Sequence, residues 1–134
     1  MLFFLVFYLS SCATPYHKES FFSLLGGGGY YENNSIGGLI KVGFDGNADT
    51  SNSLFKKYIL IRCAEIGKEK RKPYFAIYTS VISAIDEDKL TEPPIYQSFG
   101  VPSSYVYVAY HQKQEKGDLS VNEIYQQYGQ KANQ

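Results

Sequence analysis

The stretch SLFKKYILIRCAEIGK, residues 53–68, decides the fold of this chain. Its apolar residues recur at helical spacing, with Phe55, Ile59 and Ile66 on one stripe and further apolar side chains around much of the circumference. A helix of this kind has to be buried widely, and a sheet is the simplest surface that covers it. The pattern therefore predicts a central helix over residues 51–68 that packs against a sheet.

Both ends of this helix carry recognisable signals. Residues 50–52, TSN, supply side chains that can cap its first turn. Residues 67–73, GKEKRKP, place cations at the helix C-terminus, where they suit the helix dipole, and a proline that prevents continuation. This basic run is typical of a solvated helix end, although a basic docking patch is the alternative.

Three segments show strand patterns around the helix. Residues 40–44 alternate apolar and other residues, residues 73–82 read PYFAIYTSVI, and residues 104–111 read SYVYVAYH. In the third strand, Tyr105 and Tyr107 should lie on one face of the sheet, and the valines that alternate with them should lie on the other. Two strands follow the helix directly, so the order along the chain is strand, helix, strand, strand.

A short C-terminal helix is expected over residues 119–128, where Ser120 and Glu123 have the spacing of a capping box. The element order then indicates an α+β fold. We expect a two-layer sandwich in which one main helix lies on a small antiparallel or mixed sheet, followed by the short C-terminal helix.

The composition restricts the class of protein. A chain of 134 residues favours one domain. Its 13 basic and 13 acidic side chains balance, which argues against nucleic acid as a partner. The chain also has 13 tyrosines and no tryptophan. Tyrosine-rich strands of a small sheet explain this composition more simply than an aromatic binding platform does.

The N-terminus resembles a bacterial lipoprotein signal. Residues 2–8 are uniformly apolar, too few to span a bilayer, and Leu9-Ser10-Ser11-Cys12 follows directly. In such signals an aliphatic residue and two small residues precede the cysteine that receives the acyl chains. We therefore predict a signal peptide over residues 1–11 and lipidation at Cys12. The segment departs from the usual signal in being short and in having no basic residue before Lys18.

The predicted anchor determines the rest of the domain organisation. Residues 12–29 end in four glycines, and a phosphate-binding loop would need a lysine soon after them, whereas the next lysine is Lys41, so we expect a flexible tether. Residues 30–134 form the single folded domain. Ala13, where inner-membrane lipoproteins carry aspartate, favours a lipid-anchored location in the bacterial outer membrane, facing the periplasm.

Four short segments in the middle of the chain form an ordered pattern: GYYE at 29–32, FDGN at 44–47, RCAE at 62–65 and YF at 74–75. This pattern resembles a family of small bacterial envelope lipoproteins whose function is not established. That family combines a Gly-Tyr-x-Glu opening, a Phe-x-Gly-Asn strand end, an Arg-x-Ala-Glu helix and an aromatic strand. The resemblance covers about residues 28–82, and it implies an envelope lipoprotein without implying an activity.

Few residues of the sequence suggest chemistry. We expect no catalytic, cofactor-binding or metal-ligating set. Cys63 lies on the apolar helix without a cysteine partner once Cys12 is acylated, so it should be a buried, inert thiol. Arg62 and Glu65, three positions apart, should form a structural ion pair that holds the helix to the turn at Gly46-Asn47.

Two functions remain after these exclusions. The first is a membrane-anchored, non-enzymatic periplasmic lipoprotein that serves as a protein-interaction or structural component of the cell envelope and contacts an envelope protein partner. The alternative is a small-molecule, lipid or glycan binding module that uses the tyrosine-rich strand faces. A large apolar cavity behind Tyr74, Tyr78, Tyr105 and Tyr107 would favour the alternative, and filled packing would count against it.

Overall fold

A computed structural model of the protein describes residues 29–46, 51–98 and 100–129. Its strands are β1 (Gly29–Asn34), β2 (Ile40–Asp45), β3 (Tyr74–Tyr78), β4 (Tyr96–Ser98), β5 (Val101–His111) and β6 (Leu119–Ser120). Its helices are α1 (Asn52–Glu69), α2 (Val81–Ile85) and α3 (Val121–Ile124), with a 3-10 turn at Ile36–Gly38 and a π-helical turn at Tyr125–Gly129.

The six strands form one sheet in the order β1-β2-β5-β3-β6, and β4 pairs with the first residues of β5. Every strand pairing is antiparallel. The main helix α1 packs on one face of this sheet, chiefly against β2 and β5, and the short α3 packs beside it. The predicted α+β fold, with one main helix and a short C-terminal helix, is confirmed, and the sheet is antiparallel rather than mixed.

The core lies between α1 and the sheet. Along β5, Val106 and Val108 are fully buried, whereas Tyr105 and Tyr107 are half-buried, as the strand alternation predicts. Phe44 of β2 meets Phe55 of α1 edge to face, with ring centroids 5.2 Å apart. Ile59 is fully buried in the same apolar cluster, so the apolar stripe of α1 does face the strand that precedes it.

The strand predicted over residues 73–82 is too long. β3 ends at Tyr78, and Val81–Ile85 form the helix α2. Ser80 accepts a hydrogen bond from the Ser83 backbone N–H at 3.0 Å, and the hydroxyls of Thr79 and Ser83 lie 2.7 Å apart. Side-chain capping therefore converts an apolar, β-branched stretch into a helical turn.

Two further elements differ from expectation. Residues 29–34 form the edge strand β1, which begins at the last glycine of the predicted tether and which the sequence pattern did not suggest. At the C-terminus, Leu119–Ser120 pair with β3 as β6, so the helix begins only at Val121. Ser120 does cap that helix, by accepting a hydrogen bond from the Glu123 N–H at 3.3 Å.

Candidate functional site

The sheet face opposite α1 carries a group of tyrosines around one lysine, which we call the tyrosine face. The register places Gly43 between Tyr31 and Tyr105 across three strands, and it places Lys41 beside Tyr107. β4 adds a residue next to Ser103 on the same side of the sheet. All the members are half-buried. They are Tyr31, Lys41, Tyr96, Tyr105 and Tyr107.

The rings of this face contact one another closely. Tyr96 and Tyr105 stack with centroids 4.9 Å apart, and Tyr107 meets Tyr105 edge to face at 6.3 Å. The Lys41 ammonium lies 4.4 Å from the centroid of Tyr105 and 5.9 Å from that of Tyr107, which are cation–π distances. Burial, together with the neighbouring Tyr105, raises the pKa of the Tyr96 phenol.

A glycine shapes the centre of the tyrosine face. The ring of Tyr31 lies directly over Gly43, and a Cβ built on that glycine would overlap the Cζ and the hydroxyl oxygen of Tyr31. Any larger residue at position 43 would therefore displace the ring. On the same strand, burial raises the pKa of the Asp45 carboxyl, an effect that the positive charge of Lys41 reduces.

The second polar group lies on the helix side of the sheet and centres on Arg62, which is buried in α1. Its guanidinium binds Glu32 of β1 with Nη2–Oε1 and Nη2–Oε2 distances of 3.0 and 2.9 Å, and it binds Glu65 through Nη1 at 2.9 Å. Glu69 lies 3.6 Å away, and the ring of Tyr30 stacks at 4.9 Å. Burial opposes the charge of Arg62, but the hydrogen bonds to Glu65 and Glu32 outweigh it and raise its pKa.

This geometry corrects the role expected for the Arg62–Glu65 pair. The two residues do form an ion pair, but the hydrogen bonds of Arg62 join α1 to the edge strand β1 rather than to Gly46. Asn47, the other residue of the expected turn, lies outside the described residues. The group has the features of a structural contact, because each guanidinium nitrogen is satisfied by a carboxylate of the same chain.

Cys63 follows Arg62 and is fully buried in the core as a free thiol. Burial raises the pKa of this thiol, which opposes formation of the nucleophilic thiolate. The carbonyl of Cys63 accepts a hydrogen bond from the Tyr110 hydroxyl at 2.7 Å. The environment is that of a packing residue, in line with the inert thiol inferred from the sequence.

A third polar group, the turn cluster, holds the loop between β5 and β6. The Asp118 carboxylate accepts hydrogen bonds from Lys89 at 2.9 Å and from the Glu115 backbone N–H at 3.0 Å, and it lies 2.8 Å from Nδ1 of His111. Burial opposes the charge of Asp118, but these hydrogen bonds outweigh it and lower its pKa. The cluster consists of Lys89, His111, Glu115 and Asp118.

The turn cluster has some features of a metal site. One ligand atom from each of His111, Glu115 and Asp118 lies within 4.8 Å of the other two. A divalent cation could bind all three at this spacing. The ammonium of Lys89, however, already supplies positive charge to Asp118 and also donates to the Lys116 carbonyl at 2.8 Å. We therefore interpret the cluster as a structural contact between the loop that follows α2, which contains Lys89, and the β5–β6 turn.

A cleft of about 760 Å³ opens beside the first half of α1. Leu60, Leu119 and Ile124 form part of its apolar lining, and an ion pair between Lys56 and Glu92, at 2.8 Å, stands at its rim. The cleft is not lined by any of the four strand tyrosines that the sequence analysis singled out, which are Tyr74, Tyr78, Tyr105 and Tyr107. Tyr78 is buried, whereas Tyr74, Tyr105 and Tyr107 are half-buried.

Cys12 and the predicted signal and tether up to residue 28 lie outside the described residues. In the part of the chain that is described, no helix has the length and apolar character needed to cross a bilayer.

The sequence alone did not identify Lys41 and Glu32 as members of these polar and aromatic groups. The GYYE segment at 29–32 did contain Glu32, but only the pairing of β1 with β2 shows that its side chain points towards α1.

Comparison with known proteins adds no assignment: a scan against protein-family models, a search of curated proteins and a search of solved structures all find no match for this chain.

Proposed function

We propose that this protein is a lipid-anchored, non-enzymatic lipoprotein of the bacterial cell envelope that presents its tyrosine face to a protein partner. The observation that carries the proposal is the half-buried aromatic group on the sheet face opposite α1. Tyrosine is enriched at protein interfaces because it combines a large apolar ring with a hydrogen-bonding tip. The lipid anchor comes from the Leu-Ser-Ser-Cys sequence at residues 9–12.

The polar groups of the domain support a non-enzymatic role. The Cys63 thiol is buried, and its raised pKa opposes use as a nucleophile. His111 is engaged by Asp118 in the turn cluster, and Arg62 is bound by carboxylates of its own chain. These groups therefore serve the fold, whereas Lys41 and the tyrosines around it face solvent in part.

The anchor is tested by replacing Cys12 with serine. The unchanged chain should incorporate an acyl-chain probe and sediment with membranes, since two or three acyl chains hold a protein stably on a bilayer. Cys12→Ser should abolish the labelling and release the protein. Labelling and sedimentation that persist in the variant would refute the anchor.

The partner surface is tested by crosslinking in intact cells followed by mass spectrometry. A Lys41→Glu/Tyr107→Ser variant should lose the crosslinks that the unchanged chain makes to its partner, because both substitutions disrupt the tyrosine face. Lys113→Glu, at an exposed position of the β5–β6 turn, is the matched control and should keep them. Crosslinks that are the same in all three chains would exclude this face as the partner surface.

A small-molecule or lipid binding module is a second candidate, and the cleft beside α1 favours it. The cleft combines an apolar lining with the Lys56 ammonium at its rim, which suits an amphipathic ligand. Titration with a fluorescent fatty acid should show saturable binding that Leu60→Glu removes. Binding unchanged by Leu60→Glu would refute this function.

A further inference from the structure

The helix α2 exposes two large apolar side chains beside a run of acids, which we call the isoleucine patch. Ile82 and Ile85 lie three positions apart on one side of the helix and are 71% and 75% exposed. Asp86, Glu87 and Asp88 follow directly and are all exposed. The helix and the three acids after it therefore present an apolar pair next to three like charges.

The isoleucine patch is held rigidly by the backbone. After the helix, the Glu87 N–H bonds to the Ala84 carbonyl at 3.2 Å, and the Asp88 N–H bonds to the Ser83 carbonyl at 2.9 Å. Glu87 adopts a positive φ of 56°, the left-handed conformation that usually calls for glycine. The patch is therefore preorganised, which reduces the entropy cost of binding through it.

The carboxylates of the patch form no ion pair with a described residue, although the charge of Glu87 acts on the Tyr78 phenol. No described basic side chain lies within ion-pair distance of Asp86, Glu87 or Asp88. Lys89, the next residue, points instead to Asp118 in the turn cluster. The patch thus keeps a local negative charge that a binding surface would have to complement.

A surface of matching chemistry lies elsewhere on the same chain. At the end of α1, a shallow pocket of about 210 Å³, the basic pocket, combines Pro73 and Val121 with three cations. These cations form no ion pair within the described part of the chain, and the ammonium of Lys68 lies 5.0 Å from the ring centroid of Tyr125. They are Lys68, Arg71 and Lys72.

The two surfaces lie at opposite ends of β3. Pro73, in the basic pocket, precedes the first residue of that strand, and Ser80, the cap of α2, lies two residues after its last. Five strand residues separate them by about 17 Å, which prevents a contact within one molecule. A contact between the patch of one molecule and the pocket of another would run head to tail, which generates rings or chains of copies.

We propose that the isoleucine patch of one copy docks into the basic pocket of a second copy, so that the protein associates head to tail. The apolar side chains would fill the pocket, and Asp86 and Asp88 would face Lys68 and Arg71. Because the patch is small, the association should be weak in dilute solution. It does not require the tyrosine face, so its test is separate from that of the proposed function.

The experiment places a photoreactive benzoylphenylalanine at position 85 of the full chain in cells. Crosslinks should reach residues 67–73 or 121–122 of a second copy, which is distinguished by coexpressing chains with different tags. Ile36 is 77% exposed and lies in the turn between β1 and β2, outside both the isoleucine patch and the lining of the basic pocket, so the same probe at position 36 is the control and should give no such crosslink to a second copy.

Charge reversal then tests the pairing of the two surfaces. Asp86→Lys/Asp88→Lys and Lys68→Glu/Arg71→Glu should each reduce the crosslink about tenfold or more, since each places like charges opposite each other. Coexpression of the two variants should restore the crosslink. All four positions are exposed, and thermal melts of both variants check that they fold. Crosslinks only to another protein, none at all, or no restoration on coexpression would overturn the proposal.

Discussion

Arg62 of α1 binds Glu32 of β1 through Nε and Nη2, with distances of 3.2, 3.0 and 2.9 Å, although thirty positions separate them in sequence. The Arg62 side chain is only 10% exposed, while that of Glu32 is 29% exposed. This pair joins the main helix to the edge of the sheet. β1 otherwise has only β2 as a neighbouring strand.

We expect Arg62→Met to lower the free energy of unfolding by about 2–4 kcal/mol, because it leaves the Glu32 and Glu65 carboxylates without their shared cation. Urea unfolding curves measure the change. Lys56→Ala removes an exposed ion pair with Glu92 and should cost less than about 1 kcal/mol. Equal losses for the two variants would show that Arg62 contributes no more than a surface charge.

Ile59→Ala tests the packing of α1 on β2. Ile59 and Phe44 are both fully buried in the same apolar cluster, so truncation should leave a cavity and cost about 2–5 kcal/mol. A small domain has only about 5–15 kcal/mol in total, so the melting temperature should fall sharply. Lys70→Ala, at the exposed end of α1, should change stability by less than about 0.5 kcal/mol. Small and equal shifts would contradict the observed burial.

The elements that the sequence predicts well are those with strong local periodicity. The apolar stripes of α1 and the alternation of β5 each repeat over several residues, and burial follows the same pattern in the structure. β1 has no such alternation, because Glu32 occupies an inward position where an apolar residue would be expected and is accommodated only by Arg62. Only one residue, the capping Ser80, signals the start of α2, and the apolar run around it has the composition of a strand. The sequence therefore predicts a strand where the helix forms.

The polar groups could be predicted only in part. The Arg62–Glu65 spacing is local and visible in the sequence, whereas the Arg62–Glu32 and Lys89–Asp118 contacts join residues about thirty positions apart. The sequence predicts part of the tyrosine face, since the alternation of β5 places Tyr105 and Tyr107 on the same side of the sheet. The position of Lys41 beside them depends on the register of β2 against β5, which no local pattern determines.

Cys63 should be unreactive in the folded protein. In the full chain carrying Cys12→Ser, a disulfide-exchange reagent should modify no thiol in native buffer and one thiol after unfolding in urea, because the side chain is fully buried and its pKa is raised by that burial. A cysteine introduced by Lys113→Cys, at an exposed position, should react at once and serves as the control. Rapid native modification, or a disulfide-linked dimer on a non-reducing gel, would contradict the buried position.

The turn cluster should make stability depend on pH below about 4. The pKa of Asp118 is lowered in the folded state because the hydrogen bonds from the Glu115 N–H, His111 and Lys89 outweigh the cost of burial. The unfolded chain therefore binds a proton at Asp118 before the folded chain does, and stability falls as the pH drops from the unfolded pKa of about 3.9 through the lower folded pKa.

Asp118→Asn removes this titration. The variant should be less stable at pH 7, because Lys89, which is only 13% exposed, loses the charge of Asp118 at 2.9 Å and keeps only the more distant Glu115 carboxylate at 3.7 Å. Its stability should then fall less steeply than that of the unchanged chain as the pH drops below about 4. Urea unfolding at a series of pH values measures both slopes. Glu92→Gln, at an exposed carboxyl outside the cluster, is the matched control and should keep the steeper slope. Parallel pH profiles for Asp118→Asn and the unchanged chain would show that Asp118 has an ordinary pKa and that the turn cluster does not stabilise its charge.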